Sequence, residues 1–168
     1  MKILKNLESS IDLLYSESQI QSEISILAKQ MTEDFVDKNP IFICIMMGGM
    51  LFFTDLVKRI NCDLELDYVH VSRFNKENNL PGDFSWIAEP QIDMTNRTVV
   101  VIDDILDRGI TLQKIKLYCE SKGAKEFHSA VLIDKKHSRS KSGLQEVDYS
   151  CFTLTSDVFI FGYGLDYK

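Results

Sequence analysis

Histidine is scarce in this chain, with three residues among 168, and there are only three prolines and one tryptophan. The histidines, His70, His128 and His137, show no paired spacing, so ordinary surface or core roles are expected of them rather than a histidine-built metal centre. Cysteine occurs four times, at Cys44, Cys62, Cys119 and Cys151, without a C-x-x-C pair. That spacing gives neither a zinc site nor a disulfide framework and suits reduced thiols in a cytoplasmic protein. An excess of basic charge is missing too. Nineteen Lys and Arg face 25 Asp and Glu, for a net charge of −6, which argues against duplex nucleic acid as the main partner. The longest apolar run, IFICIMMGGMLFF, is shorter than the roughly 20 residues a membrane helix needs and is broken by Gly48-Gly49. The N-terminus, MKILKNLESSIDLL, lacks the uninterrupted apolar centre of a signal peptide. A soluble cytoplasmic protein without a membrane partner is expected.

What is present suits one globular domain spanning 1–168. Apolar residues make up 45% and charged residues 26%, which leaves disordered and fibrous classes behind. A chain of this length buries about 70% of its unfolded surface. Ile20, Ile24, Leu27, Met31 and Phe35 recur on one helical face, and Ser18 with Gln21 resembles a capping box, so a helix is predicted over 18–38, stopped at Asn39-Pro40. IFICIM at 41–46 reads as a strand covered on both faces. Helical spacing follows in LFFTDLVKRI, and DLELDYVHVS at 63–72 alternates as a strand. From 73 to 95 the pattern dissolves, and a connection of that length inside one domain predicts a lid or binding loop. TVVVID is the next strand, and ITLQKIKLYCESKG is a helix stopped at Gly123. FHSAVLID, VDYSCFTL and DVFIFGYG supply further strands. Strands alternating with helices predict right-handed β-α-β units and an α/β fold with a mostly parallel twisted sheet flanked by helices.

The chemistry concentrates in VVVIDDILDRGITL, 99–112, where an apolar strand runs into Asp103, Asp104 and Asp107 and then a glycine and a threonine. Ligands of open parallel sheets sit beyond the carboxyl ends of the strands. DRGIT leads into a helix, so its backbone N–H groups and the Thr111 hydroxyl can cradle an anion at the positive end of the helix dipole. Gly109 lets the backbone come close or take a positive φ. Phosphate suits the helix end, and hydroxyls or a hydrated cation suit the carboxylates, so a sugar phosphate with a free diol satisfies both. The plainer alternative is a helix cap beside a glycine turn.

The same stretch resembles the phosphoribosyl-pyrophosphate signature of type I phosphoribosyltransferases. Asp107, the third acid, matches the 6-oxopurine branch, so the chain resembles the hypoxanthine-guanine phosphoribosyltransferases. Three more segments agree in order: ICIMMGGMLFFTDL at 43–56, AVLIDKKHSR at 130–139 and DVFIFGYGLDY at 157–167. The resemblance implies the type I phosphoribosyltransferase fold with a small hood from about 1–15 and 155–168, and a mobile lid at about 72–92. It implies transfer of the 5-phosphoribosyl group from phosphoribosyl pyrophosphate to hypoxanthine or guanine, giving IMP or GMP and pyrophosphate, in a homodimer or homotetramer.

The resemblance also assigns residues. Asp103 and Asp104 would meet the ribose hydroxyls and Mg²⁺, a hard cation suited to carboxylate and pyrophosphate oxygens. Asp107 would take the proton from the purine as N9 attacks C1, with capping of the following helix as its alternative. Arg108, Gly109, Ile110 and Thr111 would hold the 5′-phosphate. Met47, Gly48 and Gly49 would wrap pyrophosphate with backbone N–H groups, and Arg139 would reach it from the side. Lys135 would donate to the 6-oxo group, Phe159 would stack on the purine, the Ile160 backbone would read its edge, and Asp166 would help hold a second Mg²⁺ through water. The chain departs from the family pattern at Arg108 (commonly a small hydroxyl residue), at Met47 (commonly Lys or Arg) and at Arg73-Phe74 (commonly a tyrosine after the serine). It also ends at Lys168, where relatives carry an aromatic- and arginine-containing tail. A xanthine-preferring enzyme and an RNA-binding regulator on the same fold are the alternatives, with a receiver-like signalling domain further off.

Overall fold

The computed structural model describes residues 11–74 and 81–165. The uninterrupted apolar run becomes strand β1, Ile41–Met46, and its neighbour β4, Thr98–Leu106, is built the same way. Both are buried on two faces. Ile41, Ile43, Ile45, Val99 and Val101 pack into one layer, while Phe42, Val100 and Ile102 pack into the other. Side chains of a strand alternate between faces, so only a run without polar interruption can fill two cores at once.

Six strands form one sheet in the order β3-β2-β1-β4-β5-β6. Strands β2 (Glu65–Phe74), β1, β4, β5 (Glu126–Lys135) and β6 (Tyr149–Leu154) run parallel, and β3 (Pro81–Ala88) lies antiparallel on β2. Helices α1 (Glu17–Phe35) and α2 (Met50–Val57) cover one face through Ile24, Met31, Phe35, Phe52 and Leu56. Helix α3 (Ile110–Ser121) covers the other through Leu112, Ile115 and Cys119. Burying one such aliphatic or aromatic side chain contributes roughly 1.5–3 kcal/mol. The expected mostly parallel α/β sheet is therefore present.

Three local expectations are corrected. The capping box is Ser16 with Gln19, not Ser18 with Gln21, and the helix ends at Phe35 rather than 38. Within 73–95, residues Pro81–Ala88 form a strand. Strand β3 forms there because Phe84 and Trp86, two apart, pack their rings edge-to-face 5.2 Å apart and join the core on the α3 face. Pro81 stands at its first position, where an edge strand tolerates a missing N–H. Conversely, DVFIFGYG is not a strand. Among the described residues beyond β6 the only pairing is an isolated bridge between Gly162 and Leu165, and the chain turns through Tyr163 at φ 51°. Within the expected hood and lid, residues 1–10 and 75–80 lie outside the described residues, as does Asp166. No helix among the described residues is long and apolar enough to cross a membrane.

Candidate active site

From β1 the chain moves outward to β2 and β3, then returns to the opposite side of β1 to form β4. Strand order thus reverses between β1 and β4, and the crevice beyond their carboxyl ends is where open α/β sheets place ligands. A cavity of about 290 Å³ lies there, lined by Met46, Met47 and Gly48 after β1, by His70 and Ser72 of β2, and by the segment Asp103–Leu112. It gathers nine of the expected site residues: Met47, Gly48, Asp103, Asp104, Asp107, Arg108, Gly109, Ile110 and Thr111.

Asp103 and Asp104 are still part of the strand, and Asp107 follows directly after its end. Asp103 pairs in register with Val131 and Leu106 with Asp134, so β4 fixes their backbone before the loop begins. Asp103 Oδ1 accepts from the Asp104 backbone N–H at 3.0 Å, and Asp104 is buried. Beneath them Cys44 is pushed up to about 12 by burial first and then by the charges of Asp103 and Asp104, so this thiol stays protonated. The α3 cap is Gly109, at φ 75°, with no side-chain bond to the helix N–H groups. Asp107 is therefore not the cap. Gly109 also lies so close to Leu144 that a Cβ would meet its carbonyl at 2.4 Å, which together with the positive φ reserves the position for glycine.

The first glycine after β1 makes a comparable approach. A Cβ on Gly48 would fall 2.3 Å from Asp104 Oδ2, so the loop backbone and the carboxylate share one small space. Gly49 does not line the cavity. It caps α2 and its N–H donates to the Ile45 carbonyl at 3.1 Å.

Two further expected residues are turned elsewhere. The Arg139 guanidinium is nine-tenths buried and does not line the cavity. It donates to the carbonyls of Leu106 (2.6 Å), Asp107 and Lys135 (2.9 Å) and to Asp134, while its Nε donates to the Gln145 carbonyl at 3.0 Å. It braces the loop instead of reaching across it. Lys135, at the end of β5, places Nζ 3.1 Å from Asp157 and holds that carboxyl below its usual range. Lys135 thus meets the 157–161 stretch, although neither it nor Phe159 or Ile160 lines the cavity. Ile160 packs on the α1/α2 core, and the Phe159 and Phe161 rings lie 6.2 Å apart at 27°. The following turn is tied down. Tyr163 Oη donates to Asp55, Gln21 Nε2 donates to Asp55 at 2.9 Å, and Gly164 sits against the Gly48 carbonyl.

His70 and Ser72 were missed as cavity residues in the sequence. The signal was their place at the carboxyl end of β2, where His70 pairs with Met46. Also missed was Ser138, whose hydroxyl donates to Asp107.

Among the described residues no three metal-ligating side chains converge. The adjacent pair Asp103-Asp104 offers hard oxygens without a cage, the donor set Mg²⁺ uses when substrate oxygens and water complete its shell. The close fit of Asp104 against the Gly48 backbone, which a Cβ would destroy, accords with such a site.

The phosphoribosyl transferase domain family matches residues 10–168. The chain belongs to the phosphoribosyltransferase family. Hypoxanthine-guanine phosphoribosyltransferase of Streptococcus pneumoniae is 34% identical over 156 residues, covering 93% of this chain and 85% of that protein. Its Lactococcus lactis counterpart is 32% identical over 98% of this chain and 88% of its own length. A crystal structure of the Bacillus anthracis hypoxanthine-guanine phosphoribosyltransferase superposes with a TM-score of 0.82 at 30% identity, covering 94% and 90% of the two chains. The fold of this phosphoribosyltransferase is accordingly type I, and the chain is an enzyme of phosphoribosyl transfer.

Proposed function

We propose that the enzyme transfers the phosphoribosyl group of phosphoribosyl pyrophosphate to hypoxanthine or guanine, releasing pyrophosphate. The observation that carries the reading is the convergence of Asp103, Asp104, Asp107 and the Gly109–Thr111 helix start on one cavity at the strand-order reversal. The N-terminus of α3, with the Thr111 hydroxyl, receives the 5′-phosphate. Asp103 and Asp104 take the ribose diol, and the Met47 and Gly48 backbone takes pyrophosphate. Arg108, exposed at the cavity edge, adds a guanidinium to the phosphate end. Bound Mg²⁺ held by Asp103 and Asp104 would neutralise charge on the departing pyrophosphate.

The C1–pyrophosphate bond breaks as purine N9 bonds to C1, through a sugar that carries positive charge. Asp107 accepts the purine proton and, as a carboxylate, stabilises that charge. Lys135 donates to the purine 6-oxo group, which rejects a 6-amino purine because that group is itself a donor. Phe159 supplies the stacking face and the Ile160 backbone reads the ring edge. Asp166 would help hold a second Mg²⁺, which would add charge neutralisation to the pyrophosphate. Arg139, with its guanidinium engaged by the loop, serves pyrophosphate indirectly by holding that loop. A lid at about 72–92 closes over the site to exclude water, and the hood comes from about 1–15 and 155–168. A homodimer or homotetramer and a cytoplasmic location belong to the same reading; the four free cysteines accord with the latter.

The purified chain should convert hypoxanthine and guanine, with Mg²⁺ and phosphoribosyl pyrophosphate, to IMP and GMP. It should make no AMP from adenine. XMP formed faster than IMP and GMP would replace the substrate assignment with xanthine, and no nucleotide from any base would refute the reading.

A further inference from the structure

Asp107 sits on the loop after β4, where nothing in its own helix holds its side chain, because the α3 cap is Gly109. A carboxylate that must meet a purine nitrogen in one orientation needs its plane fixed. The restraint comes from the turn after β5. Residues Lys136–Ser138 form a single 3-10 turn, and the Ser138 hydroxyl donates to Asp107 Oδ1. The neighbours of Ser138 are locked to the same loop. Arg139 donates to the Leu106 and Asp107 carbonyls, and the Ser140 N–H donates to the Arg108 carbonyl at 3.1 Å. Arg139 is itself anchored to Asp134, whose side chain is only 3% exposed. The two residues after Ser138, through the Arg139 guanidinium and the Ser140 N–H, thus grip the backbone from Leu106 to Arg108, and Ser138 itself reaches the carboxylate.

We propose that Ser138 is the positioning residue of the reaction: its hydroxyl holds Asp107 by one oxygen, so that the other faces the purine proton. The inference rests on Asp107 as proton acceptor. The hydroxyl fixes the orientation of the carboxylate through a hydrogen bond to its charged form. The same turn begins directly after Lys135, so the residue that reads the purine and the residue that aims the base sit three positions apart on one rigid segment.

The test is steady-state kinetics of the full chain with Mg²⁺, phosphoribosyl pyrophosphate and whichever oxopurine is turned over. Ser138→Ala should lower kcat about tenfold while leaving KM for phosphoribosyl pyrophosphate within about twofold. Ser138→Thr, which keeps the hydroxyl, should retain most of the rate. Ser138→Val, its isostere without the hydroxyl, should behave as the alanine variant does, so the Thr/Val pair decides the matter even if alanine weakens the turn. Equal kcat for Thr and Val, or a loss in Val shared by kcat and KM for phosphoribosyl pyrophosphate alike, would overturn the proposal and reduce Ser138 to a brace. Asp107→Asn separates the two levels. A dead Asp107→Asn beside indifferent Ser138 variants removes only Ser138, whereas a fully active Asp107→Asn removes the base assignment beneath it.

Discussion

The two ends of the sheet use charge differently. At the amino ends of the strands charges of both signs are paired within the protein. Lys38 meets Glu126 at 3.0 Å, Arg97 meets Glu65 at 2.6 Å, Tyr149 donates to Asp34 at 2.8 Å, and His128 stands 3.6 Å from both Glu126 and Asp148. At the carboxyl ends ion pairs form too, Lys135 with Asp157 at 3.1 Å and Arg139 with Asp134, but three aspartates of β4 and its loop also line one cavity, with Arg108 exposed at its edge. The amino end stabilises the fold, and the carboxyl end gathers acids around a space that a ligand can enter.

The sharpest way to break this contrast is to neutralise one carboxylate at the functional end. Asp107→Asn should cut kcat by about 10²–10⁴-fold, the contribution typical of a general base, with phosphoribosyl pyrophosphate binding by calorimetry nearly unchanged. Turnover near the parent's would show that the carboxyl end needs its charge only for binding. Gly48→Val comes next. Its Cβ would fall on Asp104, so KM for phosphoribosyl pyrophosphate should rise about tenfold or more and the apparent Mg²⁺ requirement with it. An unchanged KM would mean that the loop has room to shift and that Asp104 does not depend on it. Lys135→Ala should act more selectively, raising KM for the purine about tenfold and that for the sugar phosphate about twofold. The reverse pattern would put the purine elsewhere than beside Asp157.

Much of this contrast could be read from the sequence, and the reasons for success and failure differ by residue. Strands β1 and β4 are nearly unbroken apolar runs, so they declared themselves as the doubly covered centre of the sheet. The acids and the glycine of DRGIT lie close together along the chain, so their convergence needed no long-range knowledge. Strand β3 was missed because its evidence is tertiary: Phe84 and Trp86 show their alternation only once β2 and the α3 face exist to receive them. DVFIFGYG was read as a strand because its apolar residues have strand propensity, yet no free sheet edge pairs with it. Arg139 illustrates the same limit at the site. An arginine in KKHSRSK reads as a solvated basic run, and only the folded loop shows carbonyls of Leu106, Asp107 and Lys135 closing around it. Spacing locates a residue on an element; it does not tell which way a long side chain turns.

The smallest expected effect lies at the other end of the sheet and touches stability without touching turnover. His128 packs edge-on to Phe35 with centroids 5.2 Å apart, and its nitrogens face Asp148 and Glu126, with Lys38 beyond. Asp148 raises the pKa of the imidazole, outweighing burial and Lys38, which lower it. Burial would raise Asp148 in turn, but His128 and two bonds from Ser129 hold it below the usual carboxylate range. A group whose folded pKa is raised stabilises fully below its unfolded value and loses that contribution as pH climbs through the folded one. The melting temperature of the full chain should therefore fall by about 2 °C between about pH 6 and pH 8. In His128→Asn that fall should vanish, with the variant already at the lower value at pH 6 and both KM values unchanged. A fall that persists in His128→Asn would move the titrating group elsewhere. A change in KM would show that the two ends of the sheet are coupled, contrary to the division of labour their charges suggest.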